Sequence, residues 1–281
     1  MKFENRAFIV TGGAGGIGGE TAKQIIAKGG IVVSLDRYPK EKGEEITKPY
    51  HAERSFYVQG DISDLASMEK AVQEALSVIP KGSLFGAVHC AAIAPGTTWT
   101  NKLVDAVKRY EDVMKINAYG TFVVNAVIAD AINSQYPDEG PFGPRVKEER
   151  GVIINTASAV AWPVPARCLT YGASKTAVLG ISQGMADFLG PYGIRVNSIS
   201  PAVVASGLMT PNRIPYFQKE LAAACIFPHR VTSLEEIGQA IVFLMENSMV
   251  NDFELRVDGG WRGSSNWGAP EDPRQNALSL E

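Results

Sequence analysis

The chain has 281 residues, 45% hydrophobic and 20% charged, with a formal net charge of −3. This is ordinary globular composition, long enough to bury most of the unfolded surface, and it holds no basic tract to attract nucleic acid. No apolar run is long enough to span a bilayer, and the scattered cysteines and histidines lack metal-ligand spacing, so neither a membrane partner nor a metal is expected.

The first residues, MKFENRAFIVTGG, enter a strand-like run almost at once and leave no room for a targeting peptide. Cys90, Cys168 and Cys225 are odd in number and far apart, which favours free thiols and a cytoplasmic location. Strands are expected at 7–10, 31–35, 55–58, 84–90, 151–157, 194–200 and 253–257, as short apolar runs. Helical periodicity occupies 17–28, 67–79, 103–133, 171–189 and 234–247 between them. Helix 67–79 carries one stripe of Met68, Ala71, Val72, Ala75 and Leu76, with Asp64 or Ser67 as its cap. Alternation of this kind implies the α/β class, a doubly wound parallel sheet (Rossmann fold) of about seven strands flanked by helices on both faces.

Three segments break the rhythm. Residues 134–150 are rich in Pro, Gly and charge and read as an exposed excursion. Residues 201–230 are apolar but interrupted by four prolines, which suits a substrate loop that orders over ligand. Residues 263–281 read as an extended C-terminal arm, leaving 1–262 as one dinucleotide-binding domain. Even Trp261 is read with that arm. There is no internal repeat.

Directly after the first strand comes TGGAGGIGGETA (11–22), in which Gly13, Gly15 and Gly18 satisfy GxGxxG. A strand before it, a helix after it and Asp36 at the end of the second strand give the motif its meaning. Glycines let the backbone approach a pyrophosphate that rests on the helix N-terminus. A carboxylate at Asp36 accepts from both adenosine ribose hydroxyls and repels a 2′-phosphate, so NAD is expected over NADP, although Arg37 is able to turn towards such a phosphate. Further on, TYGASK (170–175) sets Tyr171 and Lys175 at i, i+4, on one helix face. A phenol is a poor base at neutrality unless a cation favours its phenolate, and Lys175 is expected to supply that cation. Small residues at 172–174 are expected to let cofactor and substrate approach the pair.

Together TGGAGGIG (with Thr11, Gly12, Gly16 and Gly18), Asp36, Asp61-Ile62 and YxxxK resemble the short-chain dehydrogenase/reductase family over nearly the whole chain. HCAAIA (89–94), RGVIINTAS (150–158) and FPHR (227–230) bring it nearest to the branch of type 10 17β-hydroxysteroid and type 2 3-hydroxyacyl-CoA dehydrogenases. The resemblance implies Tyr171 as general acid/base, Ser158 polarising the substrate oxygen, Lys175 as the cation and Asn117 relaying protons through water. It implies cofactor contacts from Gly12, Gly15, Gly16, Ile17, Gly18, Asp36, Asp61, Ile62, Cys90, Ala91, Tyr171, Lys175, Val204 and Ser206. Locally, Asp61 also reads as a helix cap, Asn117 as a hydrogen-bonding interruption and Ser158 as a turn hydroxyl.

Substrate is expected against Ser158, Tyr171 and Trp162, with Pro95, Pro163, Pro165, Leu208, Met209, Ile214 and Phe217 as pocket or core. The family also implies a homotetramer, helices 103–133 and 171–189 forming one interface. Two residues depart from its pattern, Ala92 and Ala202 standing where it has glycine, which bears on the shape of the nicotinamide pocket. The expected activity is NAD-dependent interconversion of a secondary alcohol and a ketone on an apolar, cyclic or specialised-metabolite substrate. Alternatives are a 3-hydroxyacyl-CoA or hydroxysteroid dehydrogenase and, in another class, a dinucleotide-binding scaffold or sensor without catalysis.

Overall fold

Alternate residues of β1 (Ala7–Thr11) serve two cores: Ala7 and Ile9 pack on one side of the sheet, Phe8 and Val10 on the other. With both faces covered, the strand reads as a continuous apolar run rather than an alternating one. The computed structural model describes residues 2–95, 102–137, 146–206 and 214–261. α1 (Gly16–Ala27) leads to β2 (Ile31–Asp36), and the polar helix α2 (Lys40–Thr47) leads to β3 (Ser55–Gln59). α3 (Leu65–Val78) is capped by Asp64, whose side chain accepts from the Ser67 N–H at 2.8 Å. β4 (Leu84–His89) is followed by α4 (Val107–Met114), a π-helical turn (Lys115–Tyr119) and α5 (Gly120–Asn133). β5 (Gly151–Thr156), α6 (Leu169–Leu189), β6 (Ile194–Pro201), α7 (Ile214–Ala224), α8 (Leu234–Glu246) and β7 (Glu254–Val257) complete the order.

All seven strands lie parallel in one sheet, ordered β3-β2-β1-β4-β5-β6-β7. Helices α3, α5 and α6 cover one face through Met68, Val72, Val124, Ile128 and Leu189. Helices α1 and α8 cover the other through Ile25, Ile237, Ile241 and Leu244. Each such side chain contributes roughly 1.5–3 kcal/mol on burial. The strand order reverses between β1 and β4, so a crevice opens beyond their carboxyl ends.

Four features differ from the sequence expectation. The helix expected over 103–133 is divided by the π-helical turn, where one extra residue per turn re-aims Asn117. α2 was not expected, because KEKGEEIT has no apolar stripe. α7 lies within the expected loop 201–230; Pro215, read there as an interruption, stands in its first turn, where no N–H is needed. Leu208 and Met209 and the arm 263–281 lie outside the described residues. Trp261 is an outright correction: it is 3% exposed and packs with Ala159, Val160, Leu221 and Cys225 instead of leaving with an arm.

Candidate active site

At the reversal point lies a cleft of about 360 Å³. Gly12, Gly15, Gly16, Ile17 and Gly18 line it at the start of α1, Asp36, Asp61 and Ile62 at the ends of β2 and β3, and Cys90, Ala91 and Ser206 opposite. Gly15, the N-cap of α1, has no side chain to cap the helix, so the first-turn N–H groups are left for an anion. A Cβ at Gly18 would lie 2.4 Å from the Gly12 carbonyl oxygen, and Gly12 has φ +67° and runs against Ala91. These close approaches shape a cradle that only glycine allows, and the residues fit a dinucleotide.

Asp36 sits on the rim, its Oδ1 accepting from the Arg37 N–H at 2.8 Å. Asp61 lines the cleft but does not cap α3, whose cap is Asp64; it holds the turn before that helix, accepting from the Ser63 N–H and Oγ. Burial raises its carboxyl, but the Ser63 hydrogen bonds, then the charges of Arg37 and Lys115, hold it below the ordinary carboxylate range. Val204 packs in the core on the α8 side; neither it nor Tyr171 and Lys175 is among the residues lining this cleft. Leu35, Tyr38, Gly60, Ile93 and Ile116 line it too, of which Leu35 and Gly60 fall at the carboxyl ends of β2 and β3. Ala92 lines the cleft too, and Ala202 has an ordinary backbone angle, since Asn5 and Asp252 are the non-glycine residues with positive φ among those described.

Two links join the cleft to the catalytic candidates. Asn117, 1% exposed in its π-helical turn, holds Ile93 by both amide atoms: Oδ1 accepts from the Ile93 N–H at 2.9 Å and Nδ2 donates to the Ile93 carbonyl at 2.8 Å. The same Nδ2 donates to Ser174 Oγ at 3.0 Å on α6. Thr156 Oγ1 donates to Cys90 Sγ at 3.5 Å, and the Thr156 carbonyl accepts from Lys175 Nζ at 2.6 Å. The small residues before Lys175 serve packing: a Cβ at Gly172 would meet Val164 at 2.6 Å, and Ser174 is occupied with Asn117 and the Tyr171 carbonyl.

Ser158, just beyond β5, lies beside the Tyr171 phenol, close enough for its hydroxyl to stabilise the ionised form. Burial nevertheless pushes that phenol up to about 12; the Ser158 hydroxyl opposes the rise without cancelling it, and Cys168 adds to it. Lys175, 3% exposed, is brought down to about 8 by burial, with Cys90 pulling the other way. The expected acidification of the phenol by Lys175 is therefore reversed in this structure. Desolvation wins over the ammonium, whose Nζ lies 5.7 Å from the ring centre. At neutral pH the Tyr171 phenol is protonated.

Next to this pair is an apolar wall. Val160, Leu221, Cys225 and Trp261 form a buried cluster against which Tyr171, Cys168 and Ala202 pack. Trp162, the expected substrate contact, is 75% exposed, and its carbonyl accepts from Arg256 Nη1 at 3.3 Å. The tryptophan built into the wall is Trp261.

A family profile described as "Enoyl-(Acyl carrier protein) reductase" matches residues 12–262. The chain belongs to the short-chain dehydrogenase/reductase family. It is 33% identical to 3-hydroxyacyl-CoA dehydrogenase type-2 of Rattus norvegicus, over 90% of this chain and 94% of that one. It is 31% identical to (-)-isopiperitenol/(-)-carveol dehydrogenase, mitochondrial, of Mentha piperita, over 92% and 94%. Among solved structures it resembles 3-hydroxyacyl-CoA dehydrogenase type-2 from Mycobacterium avium, with TM-score 0.80 and 27% identity over 94% and 98%. This short-chain dehydrogenase/reductase is thus an oxidoreductase acting on CH–OH groups, of a family that binds a nicotinamide dinucleotide. Among its described residues no helix is long and apolar enough to cross a membrane.

Proposed function

We propose that the protein is an NAD-dependent oxidoreductase interconverting a secondary alcohol and a ketone on an apolar, cyclic or specialised-metabolite substrate. The observation that carries this is the placement of Ser158 beside the Tyr171 phenol, next to the wall of Val160, Leu221, Cys225 and Trp261. Hydride transfer is the chemistry a nicotinamide supplies when bound. Ser158 orients the substrate oxygen, and Tyr171, protonated at neutral pH, donates its proton to that oxygen during ketone reduction. In alcohol oxidation the same phenol accepts the proton. Lys175 places a positive charge beneath the site, and Asn117 holds the Ile93 wall against α6.

Asp36, lining the cleft, supports NAD over NADP because its carboxylate repels a 2′-phosphate, while Arg37 lines the same cleft beside it. Localisation in the cytoplasm is supported by Cys90, Cys168 and Cys225 standing outside any disulfide. A homotetramer fits the apolar side chains left exposed on the two expected interface segments, Tyr110, Tyr119 and Phe122 on one and Phe188 on the other. A second reading, a 3-hydroxyacyl-CoA or hydroxysteroid dehydrogenase, is favoured by the 33% identity to the rat enzyme. A scaffold without catalysis is disfavoured by the family and by the paired Ser158 and Tyr171.

NADH absorbance with a panel of cyclic ketones, 3-ketoacyl-CoA thioesters and ketosteroids tests the assignment. Fastest turnover on cyclic ketones with NADH supports the first reading. Fastest turnover on thioesters or steroids moves the protein to the second, and no turnover on any of them removes both.

A further inference from the structure

His89 ends β4 directly beside Thr11, its register partner on β1. It is 2% exposed and both ring nitrogens are engaged, Nδ1 with Thr11 Oγ1 at 2.7 Å and Nε2 with Thr121 Oγ1 at 3.1 Å. The contacts around the two threonines settle which nitrogen holds the proton. Thr121 Oγ1 lies 2.5 Å from the Asn117 carbonyl oxygen, so its single proton points there. It can therefore only accept from the ring, and Nε2 carries hydrogen. At the other end, Thr11 Oγ1 accepts the N–H groups of Cys90 and Ala91, each at 3.2 Å. Its own proton goes to Nδ1, which must be bare. Two independent sets of contacts assign one tautomer.

Thr11 and Asn117 grip opposite ends of a short segment. Thr11 holds its start at Cys90 and Ala91, and Asn117 holds its end at Ile93. All four residues from Cys90 to Ile93 line the dinucleotide cleft. We propose that His89, as the neutral Nε2–H imidazole, is a positioning residue that ties these two grips together and fixes the Cys90–Ile93 wall against the cofactor. The role rests on the reading of the cleft as a dinucleotide site; the tautomer does not. Burial, aided by the Lys175 charge, holds the ring neutral by moving it down to about 3. A charged ring would turn Nδ1 into a donor facing the Thr11 hydroxyl, which is already donating to it.

The test begins with the unmodified protein. Long-range proton–nitrogen spectra of 15N-histidine-labelled protein at neutral pH should show one imidazole with hydrogen on Nε2 and a bare Nδ1, lost in His89→Asn and His89→Gln. His51 and His229 lie at the surface and remain as the other two signals. Asn keeps an acceptor near the Nδ1 position and Gln keeps a donor near the Nε2 position, so each variant spares one leg. Each should weaken NADH binding, read by calorimetry, roughly ten-fold, and His89→Phe should weaken it further. An Nδ1–H tautomer or an imidazolium in the wild type would overturn the proposal, and that arm needs no variant to fold. So would NADH binding within about two-fold of wild type in both folded single-leg variants. Wild-type protein that bound neither NADH nor NADPH would remove the dinucleotide reading, and this role with it, whatever the tautomer.

Discussion

Lys175 Nζ donates to the backbone carbonyl of Thr156 at 2.6 Å, while the neighbour that acts on the Tyr171 phenol is Ser158. The two groups of the YxxxK motif are therefore neighbours without being directly bonded partners. Each has its proton affinity set first by burial.

This separation has a consequence for stability. Lys175 titrates near 8 in the folded protein and near its usual 10.5 when unfolded. Between those values the unfolded chain binds more protons, so stability rises with pH through that window. Tyr171 acts later and oppositely: raised from 10 to about 12, it keeps its proton when the unfolded chain has begun to lose it, and stability falls above 10. Melting temperatures of wild type and Lys175→Met across the alkaline range check this. The methionine variant should lose the rise and keep the later fall; parallel curves for the two proteins would mean that Lys175 is not desolvated.

Asp36 should govern cofactor choice. Its carboxylate repels a 2′-phosphate, so Asp36→Ala is expected to narrow the NADH over NADPH preference by roughly ten-fold. Kd values for both cofactors measure it. Selectivity that does not move would show that Asp36 faces away from the ribose.

Trp261 should matter twice. Trp261→Ala empties a buried site and is expected to cost about 3–5 kcal/mol, read as a lower urea midpoint. Because the ring backs the wall beside Tyr171, the variant should also improve kcat/KM for bulkier ketones relative to small ones. An unaltered ratio, with stability reduced as expected, would make Trp261 a purely structural residue.

What the sequence made legible followed from burial on two faces. Strands such as GVIINT are buried at every position, so a short apolar run and a strand coincide. The glycine cradle and Asp36 were legible because their chemistry requires particular residues at the ends of particular strands. The π-helical turn was not, since the apolar rhythm of 103–133 runs on through Asn117 and only the pull of Ile93, far away in sequence, marks the place. Trp261 was hidden among Gly and polar neighbours, its burial arising from Leu221 and Cys225 across the fold. The sense of the Tyr171 shift was hidden as well. Spacing shows that a lysine is near, but the loss of water around a phenol belongs to the folded state.

Replacing Tyr171 by Phe removes one oxygen and leaves the ring packed against Val160 and Trp261, which makes it the most direct measurement of all. With a ketone that the wild type reduces, kcat should fall by about 10²–10⁴-fold while the Kd for NADH changes little. Turnover within a few-fold of wild type would contradict the account, because the proton would then come from a group other than the Tyr171 phenol.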